Sequence, residues 1–132
     1  MGAPDDDRIR AVYEAFNERG EIDTELFRPD VEWHNAPEWP GASVHRGIEA
    51  VRRDIARQRE AWDEARYEPV EVLRTGDKIV VLLHVVVKGK ASGVPAGMEG
   101  AHVLTLRDGK VARVQAFMSR EQALAAAGLA SG

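Results

Sequence analysis

GAHVLTLRDGKVARVQAFM, residues 100–118, is the stretch that decides how this chain folds. Two aliphatic runs, AHVLTL and VARVQAFM, flank RDGK, and an Asp-Gly pair between such runs is a strong hairpin signal. Successive side chains of a strand point to opposite faces, so alternation sorts them. His102 shares a face with Leu104 and Leu106, while Ala101, Val103, Thr105 and Arg107 take the other. In the second run Ala112, Val114, Ala116 and Met118 form an apolar set, and Arg113, Gln115 and Phe117 point away. The apolar set is expected beneath helices, which places His102 among apolar residues inside the protein.

Upstream, YEPVEVL (67–73), the turn TGDK and IVVLLHVVV (79–87) form a second hairpin, followed by the loop GKASGVPAG (89–97). Ile79, Val81, Leu83, Val85 and Val87 make one uniformly apolar face. His84 lies on the other with Val80, Leu82 and Val86. That second face is too apolar for water, and no helix is assigned to it, so a homodimer through the outer sheet face is expected. His84 is expected at that interface.

The N-terminal half has the helical period. Asp5 to Asp7 cap and acidify a helix that Gly20 ends, with Ile9, Val12, Tyr13 and Phe16 along one stripe. Asp23 caps a short helical turn with Leu26 and Phe27 inward and Pro29 near its end. VEWHN (31–35) is a short strand with Val31, Trp33 and Asn35 inward and Glu32 and His34 outward; APEWPGASVHRG (36–47) is a loop. Gly47 to Trp62 is a second helix, with Ile48, Val51, Ile55 and Trp62 on its apolar side. Glu49, Asp54 and Glu60 alternate with arginines on what reads as a solvated, ion-paired face. Ser119 and Gln122 form a capping box for a last short helix stopped by Gly128. Helices first and antiparallel strands after them make an α+β domain spanning 1–132.

Composition narrows the function. A formal charge of −4 with interspersed signs gives no footprint for nucleic acid. No apolar run is long enough to span a membrane, and MGAPDDDRIR has no apolar core of a secretory signal. The absence of cysteine rules out disulfides and thiolate chemistry and fits a cytoplasmic location. Glu32, His34 and Glu38 are close in sequence, but no His-x-x-x-His or comparable ligand spacing appears, so no metal site is expected.

The early helix ending near FNERGEID, PDVEWHN leading to HRGIEAVRRDI, and HVLTLRDGKVARVQAFMSREQALAAAGL occur together and in this order. In this the chain resembles the SnoaL-like branch of the nuclear transport factor-like superfamily. The resemblance implies a cone-shaped, curved antiparallel sheet wrapped around the N-terminal helices, with a short C-terminal helix. The superfamily includes ketosteroid isomerase, limonene epoxide hydrolase, scytalone dehydratase and polyketide cyclases; fold alone does not select among them. By resemblance to the isomerase, His102 falls where a protonated aspartic acid forms one arm of the oxyanion hole. Asn35 falls on or beside the catalytic base, and Val12 matches the tyrosine, with Tyr13 one position off. An amide cannot abstract a carbon-bound proton, which argues against isomerisation by that mechanism. Against the hydrolase, Trp33, Asn35 and Pro37 reproduce the spacing of its water-positioning residues, but its two aspartates fall on Val85 (or its neighbour) and Ala116.

These readings converge on a cofactor-independent enzyme for an apolar, oxygenated small molecule, of isomerase, cyclase or hydrolase type. His102 is the acid, base or hydrogen-bond donor and Asn35 orients the reacting oxygen or a water. Trp33, Trp39, Met118, Ala116, Tyr13, Phe16 and Met98 shape the pocket, with Trp39 a flap over its mouth. His34 and His45 are expected at the rim or in solvent. The alternative is a binding or interaction domain whose cone holds a ligand without chemistry. A competent base inside the cone separates the two, and His102 is the one group the sequence offers.

Overall fold

A computed structural model describes residues 4–36, 43–89 and 95–129, with residues 61–64 and 95–96 described as backbone alone. Helix α1 (Asp6–Arg19) starts where the Asp5 carboxylate accepts the Arg8 backbone N–H at 2.8 Å. It stops at Gly20, whose φ of 66° is the left-handed conformation that glycine enters without a Cβ penalty. Asp23 caps a turn, accepting the N–H groups of Glu25 and Leu26 at 3.0 and 3.2 Å. No helical turn runs on to Pro29, as the sequence had suggested. The chain passes directly into β1 (Phe27–His34), so Phe27 and Pro29 are strand residues.

β2 (Val44–Arg46), inside the expected loop, pairs antiparallel with β1. Helix α2 (Ile48–Ala61) then leads into β3 (Trp62–Thr75), so Trp62 opens a strand and does not close the helix. β4 (Lys78–Gly89), β5 (Pro95–Arg107) and β6 (Lys110–Phe117) continue the hairpins, and α3 (Arg120–Ala126) ends the described chain. β5 begins earlier than its sequence pattern, taking up the end of the expected loop. The six strands form one curled, unclosed sheet in the order β2-β1-β6-β5-β4-β3. All neighbours are antiparallel except β1 and β6, which run parallel.

Two of the sheet's register shifts bear on side-chain placement. In β3 the register shifts between Pro69 and Glu71, leaving Val70 more than half exposed; a bulge is where a strand tolerates proline. In β6, Thr105 faces Arg113 but Leu106 faces Val111, so Ala112 is the extra residue. The bulge corrects the alternation there: Val111, not Ala112, is fully buried under the helices.

The inner face of β4 packs Ile79, Val81, Leu83, Val85 and Val87 against Ile9 and Tyr13 of α1 and Val51 and Ile55 of α2. On the outer face, Ala123 and Ala127 of the C-terminal segment pack over Val80, Leu82, Ala101 and Val103. The chain's own α3 therefore covers part of the face that was expected to have no helix to cover it, while His84 on that face is exposed. Ser119 caps α3, its Oγ accepting the Gln122 N–H at 3.3 Å, as the capping box implied. Among the described residues no helix is long and apolar enough to cross a membrane.

The bulge makes a testable distinction between neighbours. Val111→Ala removes two buried carbons and is expected to cost about 2 kcal/mol in urea unfolding. Ala112→Ser is expected to cost less than about 0.5 kcal/mol. The reverse order would mean that β6 keeps simple alternation.

Candidate functional site

The concave side of the sheet and the two long helices enclose a cavity of about 90 Å³, mostly apolar in its lining. Tyr13 and Phe16 reach it from α1, Trp33 from β1, Met98 and His102 from β5, and Ala116 from β6. Asn35 and Met118 reach it from the segments that follow β1 and β6. Every pocket residue proposed from the sequence thus meets in one place, apart from Trp39, which lies outside the described residues. The volume is smaller than the several hundred Å³ usual for ligand sites.

At one end, the Tyr13 hydroxyl lies 2.7 Å from His102 Nδ1, and both residues are buried. Trp33 meets the imidazole edge-on, at 5.5 Å between ring centroids and 76° between planes. Tyr67 flanks it at 6.0 Å, and a pair of hydrogen bonds between Asn17 and the Tyr67 backbone, 2.8 and 2.9 Å, holds that residue in place. Burial lowers the His102 pKa to about 4, because a cation there would lose its hydration. Burial, helped by Tyr67, drives the Tyr13 pKa upward. Both groups are therefore neutral near pH 7. A phenol is a stronger donor than an imidazole N–H, and an imidazole nitrogen a stronger acceptor than a phenol oxygen. On that ground the Tyr13 hydroxyl donates to Nδ1 and His102 carries its proton on Nε2. Tyr13, rather than Val12 at the matched position, supplies the hydroxyl beside His102.

A second polar group occupies the wall formed by α2. Asp54 Oδ2 accepts from Asn35 Nδ2 at 3.2 Å and Gln58 Nε2 at 2.9 Å. Its Oδ1 lies 3.2 Å from His45 Nε2 and 3.4 Å from an Arg57 nitrogen. Asp54 is 8 % exposed as a residue and lines the cavity, so the solvated face expected for it is corrected. Helical spacing carried the signal: Val51, Asp54, Ile55 and Gln58 form one i, i+3, i+4, i+7 stripe. His45, expected at the rim or in solvent, has a side chain only 12 % exposed and also meets Ser43 Oγ at 2.8 Å. His34 keeps its expected orientation, bonding Glu32 at 3.0 Å on the outer face.

The sequence profile of the SnoaL-like domain matches residues 9–114, most of the chain. The chain belongs to the SnoaL-like family. Solved structures agree with the fold of this SnoaL-like domain. TerC, crystallised with polyporic acid, is 28% identical with a TM-score of 0.73, over 84% of this chain and 88% of that one. A polyketide cyclase-like protein of Sinorhizobium meliloti is 24% identical with a TM-score of 0.62, over 79% and 87% of the two chains. A protein of ketosteroid isomerase-like fold from Catenulispora acidiphila, in complex with trimethylamine, is 19% identical with a TM-score of 0.70, over 92% of each chain. No curated protein matches the chain.

The buried imidazole makes stability depend on pH. His102 has a lower pKa folded than unfolded, so the unfolded chain binds the extra proton first and stability falls as pH drops from about 6.5 to about 4. The full contribution is on the order of 3 kcal/mol. Chemical denaturation across that range is expected to show a one-proton slope in the wild type that His102→Gln lacks; equal slopes would place the imidazole in contact with water.

Proposed function

We propose that this SnoaL-like domain is a cofactor-independent enzyme that performs acid–base chemistry on a small, apolar, oxygenated substrate. The observation that carries the reading is the Tyr13–His102 hydrogen bond inside the cavity. An imidazole held neutral, with Nδ1 occupied by a phenol, offers Nε2–H to a carbonyl or epoxide oxygen. A donor fixed in a water-poor site stabilises negative charge as it develops on that oxygen. The low pKa of His102 suits it to donate a hydrogen bond and makes it a weak base near neutral pH. Asn35, which also lines the cavity, orients the reacting oxygen or a water, and Trp33, Phe16 and Met98 supply apolar walls. That TerC was crystallised with polyporic acid supports an oxygenated organic ligand for a relative of this fold.

A second reading, a ligand-binding domain without chemistry, draws on Val85 and Ala116, apolar residues where the hydrolase resemblance calls for carboxylates. The two readings separate in a screen of cyclic ketones, epoxides and polyporic acid, using thermal shift and product analysis. His102→Ala is expected to weaken binding by up to roughly tenfold, the worth of one neutral hydrogen bond. Turnover is expected to fall by roughly 100-fold or more, because the donor acts mainly on the transition state. Binding that survives in the variant, with no turnover in either protein, would establish the non-catalytic reading.

A further inference from the structure

The reading above leaves a proton without a destination, since His102 is a donor and Asn35 an amide. Three carboxylates among the described residues line the cavity, and two of them, Glu21 and Glu99, are exposed. Asp54 is the buried one. We propose that Asp54 is the general base of the site and that His45 carries its proton to solvent. This deepens the proposed function and rests on it.

The geometry assigns distinct roles around the carboxylate. Asn35 and Gln58 both donate to Oδ2 from the cavity wall, fixing its plane. Gln58 in turn accepts from the Tyr67 hydroxyl at 3.5 Å, and Tyr67 lies beside His102. The base and the donor are thus joined through one tyrosine across the same cavity. The charge of Asp54 reaches into it: together with burial, it pushes the Tyr67 pKa up to about 12. The contacts from Asn35 and Arg57, at 3.2 and 3.4 Å, are long for charge-assisted hydrogen bonds. Long apo contacts of this kind tighten or yield when substrate arrives. On the side away from the cavity lining, His45 Nε2 sits between Asp54 Oδ1 and the hydroxyl of exposed Ser43. A proton taken by Asp54 passes to Nε2 of that imidazole in its Nδ1–H tautomer, and the Nδ1 proton leaves to water, restoring the carboxylate.

The test uses 5-nitro-1,2-benzisoxazole, a planar apolar probe of base strength in cavities. Asp54 takes the C3 proton, the C–H electron pair completes a nitrile, and the N–O bond breaks with its pair on oxygen. The product, 2-cyano-4-nitrophenolate, is followed by its absorbance; the reaction needs no oxidant or reductant, and the phenolate charge falls to His102 Nε2–H. Asp54→Asn is expected to lower kcat/KM by roughly 100-fold or more with KM little changed. Asp54→Glu keeps the charge but moves it by one methylene, and is expected to lose at least roughly tenfold in a folded protein. His45→Ala is expected to lower kcat while sparing kcat/KM, with imidazole in the buffer restoring kcat. Turnover unaffected by both Asp54 changes, or a wild type that binds the probe without converting it, would overturn the base. Equal losses of kcat and kcat/KM in His45→Ala would overturn the exit route. A wild type that neither binds nor converts the probe would overturn the cavity reading as well.

Discussion

The parallel pairing of β1 with β6 is the constraint on which the rest of this structure depends. It sets Trp33 opposite Val114 and His34 opposite Gln115, joining the N-terminal strand to the far end of the sheet. Without it, β3 to β6 would form a meander whose concave side is open along one edge, and Asn35 would have no wall to complete. Parallel neighbours cannot be joined by a tight turn, so the chain between them must cross over, here through α2 and the three strands β3 to β5. The entropy of closing so long a loop grows only logarithmically with its length, and the apolar contacts of Val31 and Val114 help to offset it. The outer side of the same pairing carries Glu32 near Arg46 and Arg113, so polar groups stay on the wet side while Trp33 turns inward.

Inside the cone, the polar groups fall into two clusters of opposite character. Tyr13 and His102 are neutral and satisfy each other, which is the inexpensive way to bury an imidazole. Asp54 is a buried carboxylate, tolerated because Asn35, Gln58 and Arg57 donate to it and His45 lies beside it. The same cavity is therefore lined by a neutral pair and by a buried acidic group. The apolar walls between them keep water scarce, which strengthens both.

Local pattern made much of this visible beforehand. His102 was legible because alternation in AHVLTL put it with Leu104 and Leu106, and Asn35 because it follows Val31 and Trp33 by steps of two. Tyr13 and Phe16 followed from the helical stripe. Asp54 was misread although the same period places it on the apolar stripe of α2, because its arginine neighbours suggested an ion-paired surface. Ala112 was misread because alternation fails across a bulge, and nothing in VARVQ marks one. The outer sheet face was taken to lack a helix because no helix was assigned to it, yet the alanines of the C-terminal segment lie on Val80 and Val103.

The sequence by itself determined what short-range physics controls: the caps at Asp5 and Ser119, the stop at Gly20, the hairpin turns, and the face on which most side chains lie. Each of these depends on backbone geometry within a few residues. Tertiary structure alone decided the β1–β6 pairing, the meeting of Tyr13 with His102 across 89 positions, and the enclosure of Asp54 by Asn35 and His45. Those contacts join segments whose periodicities carry no information about each other. They are set by how the curled sheet curves over the helices, and that curvature leaves a cavity lined by Tyr13, His102, Asn35 and Asp54.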